Sequence, residues 1–299
     1  LRSGIHRSSR INRGELVSTY LDYNATAPAK PEVIQAIAEA MAITGNPSSI
    51  HQFGREAREA VEQARDRISV LIGARPEEVV FTAGGTEANN LALAGTGRKR
   101  LVTSAIEHPS VLRAAEALAA PSGREGARNL TVLPVDSKGV VSIEALEKAL
   151  GSIADNALVS VMLANNETGV IQPIAKISAL ARERGAVVHC DAVQAPGRLA
   201  FDVASLGVDM LSLSAHKFGG PKGVGALFVR GGIDLDPLIV GGGQELSRRP
   251  GTENISGIVG FGIAAELAVD DVQRAPLIAA MRDRAEQSLR EIEPGVRIF

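Results

Sequence analysis

Hydrophobic residues recur along this chain in two kinds of pattern. Spacings of three and four residues, typical of one buried helix face, occupy residues 34–41, 57–71, 255–268 and 277–292. Short continuous apolar runs, typical of strands buried on both faces, occupy 79–82, 101–103, 130–133, 158–163, 186–188, 210–213 and 224–229. Strands that alternate with helices predict an α/β fold, with a large mixed, mostly parallel sheet covered by helices on both faces.

The same pattern divides the chain into segments. We expect a large ligand-binding domain over residues 30–272 and the start of a small, incomplete C-terminal α/β domain over 273–299. We assign residues 18–29 to an N-terminal segment associated with the small domain. Residues 1–17 are rich in arginine and show no periodicity, which indicates a disordered extension, with a transit-like segment as the alternative.

Composition narrows the function classes. The formal net charge is −2 and the sequence pI is about 6.3, so we expect no nucleic-acid partner and no membrane-surface binding. No apolar run approaches the ~20 residues that a membrane helix needs. The single cysteine, Cys190, excludes an internal disulfide framework and fits a reducing compartment, so we predict a cytoplasmic protein.

The first candidate segment is Ser212-Leu-Ser-Ala-His-Lys217, an apolar strand that leads into a glycine-rich turn. Desolvation of a lysine amine favours its neutral, nucleophilic form, which is the form that makes Schiff bases. Ser214 and His216 flank the lysine with donors suited to a phosphate. A lysine after a strand is more often an ordinary surface residue, so Lys217 must be judged together with the other segments.

The second candidate segment is Val187-Val-His-Cys-Asp191. Its aspartate follows a buried strand, at the sheet edge where open α/β sheets bind ligands. A carboxylate that faces a pyridine nitrogen keeps that nitrogen protonated, which makes the ring an electron sink. On this segment alone, a solvated aspartate at a strand end explains the pattern equally well.

The third candidate segment, Phe81-Thr-Ala-Gly-Gly-Thr86, joins a predicted strand to a helix. Free N–H groups at a helix N-terminus form an anion site, and Thr86 adds a hydroxyl. A simple threonine N-cap is the alternative. Further polar segments without an evident core role are Ile106-Glu-His108, Ala164-Asn-Asn166 and Arg249-Pro-Gly-Thr252.

Together and in this order, the segments resemble the fold-type I pyridoxal 5′-phosphate (PLP) enzymes of the class V aminotransferase group, and most closely the cysteine desulfurases. The similarity begins at Tyr20-Leu-Asp-Tyr-Asn-Ala-Thr-Ala-Pro28 and continues through Asn46-Pro-Ser-Ser-Ile-His51 to the end of the chain. Its most specific parts are the Ser-x-His-Lys motif that ends at Lys217 and the Arg-x-Gly-Thr-Glu-Asn loop that ends at Asn254.

The resemblance implies a role for each candidate residue. Lys217 would hold PLP covalently, and His108 would stack over the ring and assist proton transfer, so these two are the predicted catalytic residues. Thr252 would reach the phosphate of a neighbouring subunit, which implies a homodimer. The other implied PLP contacts are Asp191 at the ring nitrogen, Gln194 and Asn166 near the ring hydroxyl, and Gly85, Thr86, Ser214 and His216 at the phosphate.

The implied reaction converts L-cysteine to L-alanine. An enzyme thiolate would take the sulfur as a persulfide and pass it to an acceptor protein, such as an iron–sulfur scaffold, or to a thiolation pathway. In the family, that thiolate and the arginine that binds the substrate carboxylate lie further downstream than Phe299. Cys190 adjoins Asp191 on a strand and should therefore face away from the ring, as a buried core residue.

Two other functions stay open from the sequence. One is a selenocysteine lyase or a related class V PLP enzyme. The other is a chain that binds PLP or a partner as a scaffold, without turnover. No metal site is predicted in any of these cases.

Overall fold

The computed structural model describes residues 18–121, 127–152 and 154–298, so the predicted extension over 1–17 lies outside the described residues. Within them, seven strands form one sheet in the order β1-β7-β6-β5-β4-β2-β3. Their bounds are Val79–Thr82 (β1), Arg100–Ser104 (β2), Asn129–Leu133 (β3), Ala157–Ser160 (β4), Val187–Asp191 (β5), Met210–Ser214 (β6) and Gly225–Val229 (β7).

The sheet is mixed but mostly parallel, as predicted. Strand β7 runs antiparallel to both β1 and β6, whereas the remaining neighbours are parallel. The connection between β6 and β7 explains the exception, since residues 215–224 are too few for the crossover that a parallel neighbour would need. All strands other than β7 therefore end at the same edge of the sheet.

Helices fill the connections and cover both faces. Their bounds are Pro31–Ala40 (α1), Gln52–Ile72 (α2), Gly85–Gly95 (α3), Pro109–Ala119 (α4), Ile143–Leu150 (α5), Ile174–Glu183 (α6), Val203–Leu206 (α7), Ile255–Asp271 (α8) and Ala275–Ile292 (α9). Alternate strand residues supply two separate hydrophobic clusters, with Val102 in one and Leu101 in the other. This alternation is expected for a sheet that is buried on both faces.

One predicted strand is too long. The apolar run 158–163 predicts a strand up to residue 163, but β4 ends at Ser160. Val161, Met162 and Leu163 stay buried, which is why the run continues in the sequence. Backbone hydrogen bonds to β5 continue, from Val161 N–H to His189 O at 3.2 Å and from Leu163 N–H to Asp191 O at 2.8 Å. The intervening N–H of Met162 donates to the carboxylate of Glu107 at 3.0 Å instead of to a strand.

The N-terminal segment and the last helix relate differently to this core. The Ala27 N–H donates to His216 O at 2.9 Å, and the Lys30 N–H donates to Gly219 O at 3.1 Å. These bonds attach the end of the N-terminal segment to the turn that follows β6. Helix α9 has no buried residue. The boundary after residue 272 and the assignment of 18–29 and 273–299 to a small domain stay predictions.

Close packing of α8 on α2 depends on a missing side chain. A Cβ at Gly262 would lie 2.7 Å from Cα and 2.8 Å from Cβ of Ala64 on α2. Contacts this short involve backbone that is itself held in a helix, so the two helices would have to separate. Glycine therefore sets the distance between α2 and α8.

We expect Gly262→Ala to destabilise the protein by about 1–3 kcal/mol, because overpacking outweighs the gain of about 1 kcal/mol in helix propensity. Urea unfolding followed by far-UV circular dichroism measures the change. Asp270→Ala, at an exposed position of the same helix, is the matched control and should change the free energy of unfolding by less than about 0.5 kcal/mol. A Gly262→Ala protein as stable as the wild type would contradict the packing argument.

Candidate active site

The shared strand edge carries a cavity of about 180 Å³. Residues just beyond the ends of β1, β2, β4, β5 and β6 line it, since these strands end side by side. The lining includes nine of the ten predicted site residues, namely Gly85, Thr86, His108, Asn166, Asp191, Gln194, Ser214, His216 and Lys217. Thr252 lies outside this lining and is exposed, in the segment before α8.

Lys217 lies in a short 3₁₀ turn that directly follows β6. Its Nζ donates to the backbone oxygens of Asn24 at 2.7 Å and of Ala25 at 3.0 Å. Burial lowers the pKa of the Lys217 amine, and the positive charge of Arg198 lowers it further. Both effects favour the neutral amine that the sequence predicts.

Asp191 ends β5 and is buried, so the solvated interpretation is wrong. Its Oδ2 accepts from Asn89 Nδ2 at 2.7 Å, and its Oδ1 accepts from the Val193 N–H at 3.0 Å. Burial raises the pKa of the Asp191 carboxyl, whereas these two donors and the nearby Lys217 work in the opposite direction. A cation placed against this carboxylate would strengthen its ionised form.

His108 is fixed by the helix that it starts. It is the N-cap of α4, and its Nδ1 accepts from the Ser110 N–H at 3.1 Å. An accepting Nδ1 carries no proton, which assigns the ring proton of the neutral form to Nε2. Ser110 Oγ lies 2.8 Å from the same nitrogen and 2.8 Å from Asn89 Nδ2. Because Asn89 also binds Asp191, one chain of hydrogen bonds connects His108 to Asp191.

Sequence reasoning missed Asn89 and Ser110, although both line the cavity. Asn89 lies three residues after Thr86 and so on the same side of α3, one turn further along. Ser110 stands two residues after His108, in the first turn of α4. Helical spacing from the predicted residues would have found Asn89.

The cavity meets the start of α3 at its other end. Gly84 is the N-cap and makes no side-chain capping bond, so the threonine N-cap interpretation is wrong. The first N–H groups of a helix lack intrahelical acceptors. A Cβ at Gly85 would lie 2.9 Å from Val193 Cγ2 and 3.3 Å from Ser214 Cβ, so glycine is required for the close approach of α3 to the strand ends.

Hydroxyl and imidazole groups surround this helix start. Thr86, Ser214 and His216 line the cavity there. His216 Nδ1 lies 2.6 Å from Thr26 Oγ1, which holds the ring in place. Burial lowers the pKa of His216, and the positive charge of Lys217 adds to the effect. Free amides, hydroxyls and a glycine cradle form a donor set that suits a phosphate.

Asn24, in the N-terminal segment, forms hydrogen bonds with residues that line the cavity. The backbone oxygen of Asn24 accepts from Gln194 Nε2 at 2.9 Å, and its side-chain Nδ2 donates to the backbone oxygen of Asn166 at 3.1 Å. The Oε1 of Gln194 accepts from Arg198 Nη1 at 2.8 Å. Since Asn24 O also accepts from Lys217, this residue connects three predicted site residues. A signal for Asn24 was present in the sequence, because the segment Tyr20 to Pro28 is part of the resemblance to the family. The resemblance assigned no role to Asn24 itself.

Cys190 is buried and belongs to the larger hydrophobic cluster, together with Val188 and Ala192. It does not line the cavity that holds Asp191. Burial raises the pKa of its thiol well above the usual value, and the charge of Asp191 adds to this. The prediction that Cys190 faces away from the site is confirmed.

Glu107 brings a second buried carboxyl close to Asp191. Its Oε1 accepts from the Met162 N–H at 3.0 Å and from the hydroxyl of Ser104. Its Oε2 is buried without a hydrogen-bond partner among the described residues. Burial raises the pKa of Glu107 to about 8, and the negative charge of Asp191 contributes in the same direction. This raised pKa favours the protonated, neutral form of Glu107 at pH 7.

Other site types find no support in the described part of the chain. Its His, Cys, Asp and Glu side chains form no group of three or more that could hold a metal ion. Among the same residues, no helix is both long and apolar enough to cross a membrane.

Comparison with known proteins places this geometry in a family. The family described as aminotransferase class V matches residues 19–298. The chain is 46% identical to the cysteine desulfurase IscS of Dictyoglomus turgidum, over 93% of this chain and 70% of that protein. It is 45% identical to the IscS-like cysteine desulfurase of Mycobacterium tuberculosis, over 92% of this chain and 72% of that protein.

Solved structures give the same result for the fold. A NifS-like protein superposes with a TM-score of 0.86 at 37% identity, covering 92% of this chain and 76% of the other. The NifS-like protein of Rickettsia africae superposes with a TM-score of 0.84 at 36% identity, covering 91% and 75%. The predicted fold-type I architecture is confirmed.

We expect Glu107→Gln to gain stability relative to the wild type as the pH rises. The raised pKa means that Glu107 contributes stability fully below its usual value of 4.5 and loses it as the pH rises towards about 8. Glutamine is neutral throughout and undergoes no such loss. Each pKa unit corresponds to about 1.4 kcal/mol, so the relative gain should amount to a few kcal/mol.

Urea unfolding of both proteins at about pH 5, 7 and 9 measures this difference. Glu183→Gln, at an exposed position of α6, is the matched control and should differ from the wild type by the same amount at each pH. If the curves of Glu107→Gln and the wild type also run parallel, Glu107 is not held protonated.

Proposed function

We infer that this chain, which belongs to the class V aminotransferase family, is a PLP-dependent cysteine desulfurase that converts L-cysteine to L-alanine and transfers the sulfur. The observation that carries the inference is the cavity in which the Lys217 amine, the buried Asp191 carboxylate and the start of α3 meet. The chain is also 42–48% identical to several cysteine desulfurases over most of its length.

PLP fits the groups that the cavity presents. Lys217 supplies a partly buried amine of lowered pKa for the aldehyde, and Asp191 supplies an anion for the ring nitrogen. Thr86, with the Gly85 amide, Ser214 and His216, supplies donors for the phosphate at the N-terminus of α3. When bound, PLP supplies an electron sink that stabilises negative charge on the substrate α-carbon.

The chain's own residues would divide the remaining work. Lys217 presents a neutral amine because of burial and the neighbouring charge of Arg198. His108 is held by its Nδ1, which leaves Nε2 free to hold or move a proton at the bound cofactor. Gln194 and Asn166 are proposed to meet the ring hydroxyl, and both form hydrogen bonds with Asn24.

Sulfur transfer needs a thiol other than Cys190. In the proposed step a thiolate attacks the substrate sulfur and the bond between that sulfur and the substrate β-carbon breaks. The β-carbon side keeps the electron pair and takes a proton to give alanine. The attacking thiol thereby becomes a persulfide. Cys190 is buried in the hydrophobic cluster with a raised pKa, so its thiolate is neither available nor directed at the cavity.

The partners follow from the same proposal. Thr252 is exposed and separate from the cavity of its own chain, which supports a homodimer in which it reaches the phosphate of a second copy. A protein that accepts the persulfide sulfur, such as an iron–sulfur scaffold, is the proposed further partner. The cytoplasmic location stays a prediction from the single cysteine.

Release of alanine and sulfide from L-cysteine, by the PLP-loaded chain with dithiothreitol as acceptor thiol, tests the function. Equal amounts of alanine and sulfide would support desulfuration. PLP uptake without either product would favour the scaffold alternative. The same assay with L-selenocysteine distinguishes a selenocysteine lyase from a cysteine desulfurase. A selenocysteine lyase would turn over L-selenocysteine much faster than L-cysteine.

We expect Lys217→Ala to abolish covalent PLP binding, because Lys217 is the one lysine that lines this cavity among the residues the structure describes. Loss of the visible absorbance after gel filtration, and failure of borohydride to fix PLP to the chain, measure the effect. Lys176→Ala, an exposed lysine on α6, is the control and should keep the wild-type spectrum. An unchanged spectrum for Lys217→Ala would show that another residue binds PLP.

A further inference from the structure

Strand β1 is an edge strand of the sheet, and its outer edge is covered by side chains. The Phe81 N–H donates to Glu245 Oε2 at 2.8 Å, and two residues later the Ala83 N–H donates to Glu87 Oε2 at 2.8 Å. Successive outward amides of an edge strand are two residues apart, so Phe81 in β1 and Ala83, one residue beyond its end, follow one line of outward amides. Two carboxylates therefore occupy the amides where another strand would otherwise pair.

Glu245 belongs to a segment that is otherwise mostly exposed, which we call the 241–254 loop. The Glu245 side chain is only 2% exposed and forms a two-point ion pair with Arg65 of α2. Arg65 Nη1 donates to Glu245 Oε2 and Arg65 Nη2 donates to Glu245 Oε1, each at 2.8 Å. All five N–H donors of Arg65 are used, by Glu245, Glu62 and the carbonyl oxygen of Val79. Such a pair is costly to break, because one buried charge would remain without its partner.

The backbone at this anchor is strained. Glu245, Leu246 and Ser247 have φ of 49°, 55° and 65°, and they are the non-glycine residues with positive φ in the described part of the chain. Consecutive left-handed residues persist only where their surroundings hold them. Leu246 is 70% exposed, so burial of its side chain does not hold the turn. The ion pair with Arg65 anchors Glu245, and two backbone hydrogen bonds within the turn, from Ser247 N–H to Gly243 O at 3.3 Å and from Arg248 N–H to Glu245 O at 3.0 Å, add to it.

A second anchor lies nearer the end of the same loop. Arg249 Nε donates to Glu87 Oε1 at 2.8 Å, and its Nη2 donates to Glu87 Oε2 at 3.4 Å. The hydrogen bond to Glu87 raises the pKa of Arg249. Glu87 directly follows Thr86 in the first turn of α3. The loop that carries Thr252 is thus tied to the start of the helix that borders its own chain's cavity.

We propose that Glu245 and Glu87 are positioning residues, each of which binds one outward amide of the β1 edge and one arginine, so that together they fix the 241–254 loop and Thr252. The part of this proposal that concerns PLP rests on the proposed function, in which Thr252 serves the phosphate of a second copy. The anchoring itself does not depend on that function.

Trypsin cleavage after Arg248 reports on the loop directly. We expect Glu245→Gln and Glu87→Gln to raise the cleavage rate at this bond by about tenfold or more, equivalent to about 1.4 kcal/mol of local opening. Cleavage after Arg282, on the exposed helix α9, serves as internal reference and should not change. A merely structural effect would accelerate both cleavages alike, and an unchanged rate after Arg248 would overturn the anchoring.

The equilibrium dissociation constant of PLP, from visible absorbance, tests the positioning. We expect it to rise by about tenfold in both variants at an unchanged absorption maximum, because Lys217 and Asp191 are untouched. Removing the negative charge of Glu87 beside a phosphate would by itself tighten binding. Weaker binding in Glu87→Gln therefore indicates displacement of the loop, whereas unchanged or tighter binding would overturn the positioning role.

Controls separate the remaining outcomes. Glu147→Gln removes a comparable but exposed ion pair with Arg184 and should leave both measurements at wild-type values. Glu87→Gln keeps the test valid if Glu245→Gln does not fold, since the Glu87 side chain is 20% exposed and its loss leaves no deeply buried charge. A wild-type chain that takes up no PLP would refute the proposed function, while trypsin cleavage would still decide the anchoring.

Discussion

A buried carboxylate at the end of the central strand sets the conditions for the rest of the site. Asp191 ends β5, the fourth of seven strands, with little access to water. A buried carboxylate must receive hydrogen bonds or lose its charge. Asn89 and the Val193 amide provide those bonds, so α3 has to lie against this strand end. Gly85 permits that approach, and the end of α3 that we propose to bind the phosphate is placed as a consequence.

The same constraint explains why a neighbouring carboxyl is neutral. Glu107 lies close enough for the charge of Asp191 to raise its pKa, and it receives only the Met162 amide and the Ser104 hydroxyl. Two carboxylates this close in a dry interior do not both ionise. The nearby positive charge of Lys217 lowers the pKa of Asp191, which favours the negative charge on Asp191. Glu107 instead connects Ser104, at the end of β2, with Met162, just after β4.

Much of this arrangement could be predicted from the sequence because strand ends converge. Parallel strands place the residues after them at one edge, so Asp191, Lys217 and His108 meet although up to 109 residues separate them. The residues that were missed depend on contacts without a local pattern. Asn24 reaches the cavity from a segment with no periodicity, and Glu245 covers a strand edge that is recognised as an edge only once the sheet order is known.

Burial also decides which reactive groups take part in the chemistry. His189 and Cys190 stand beside Asp191 on the same strand, yet the pKa of His189 is lowered to about 3 by burial and the pKa of Cys190 is raised. Both stay neutral, with His189 held between the hydroxyls of Ser160 and Ser212. Lys217 is only partly buried, so its pKa falls without the amine losing access to the cavity. Among His189, Cys190 and Lys217, burial thus separates the two groups that support the fold from the amine that can react.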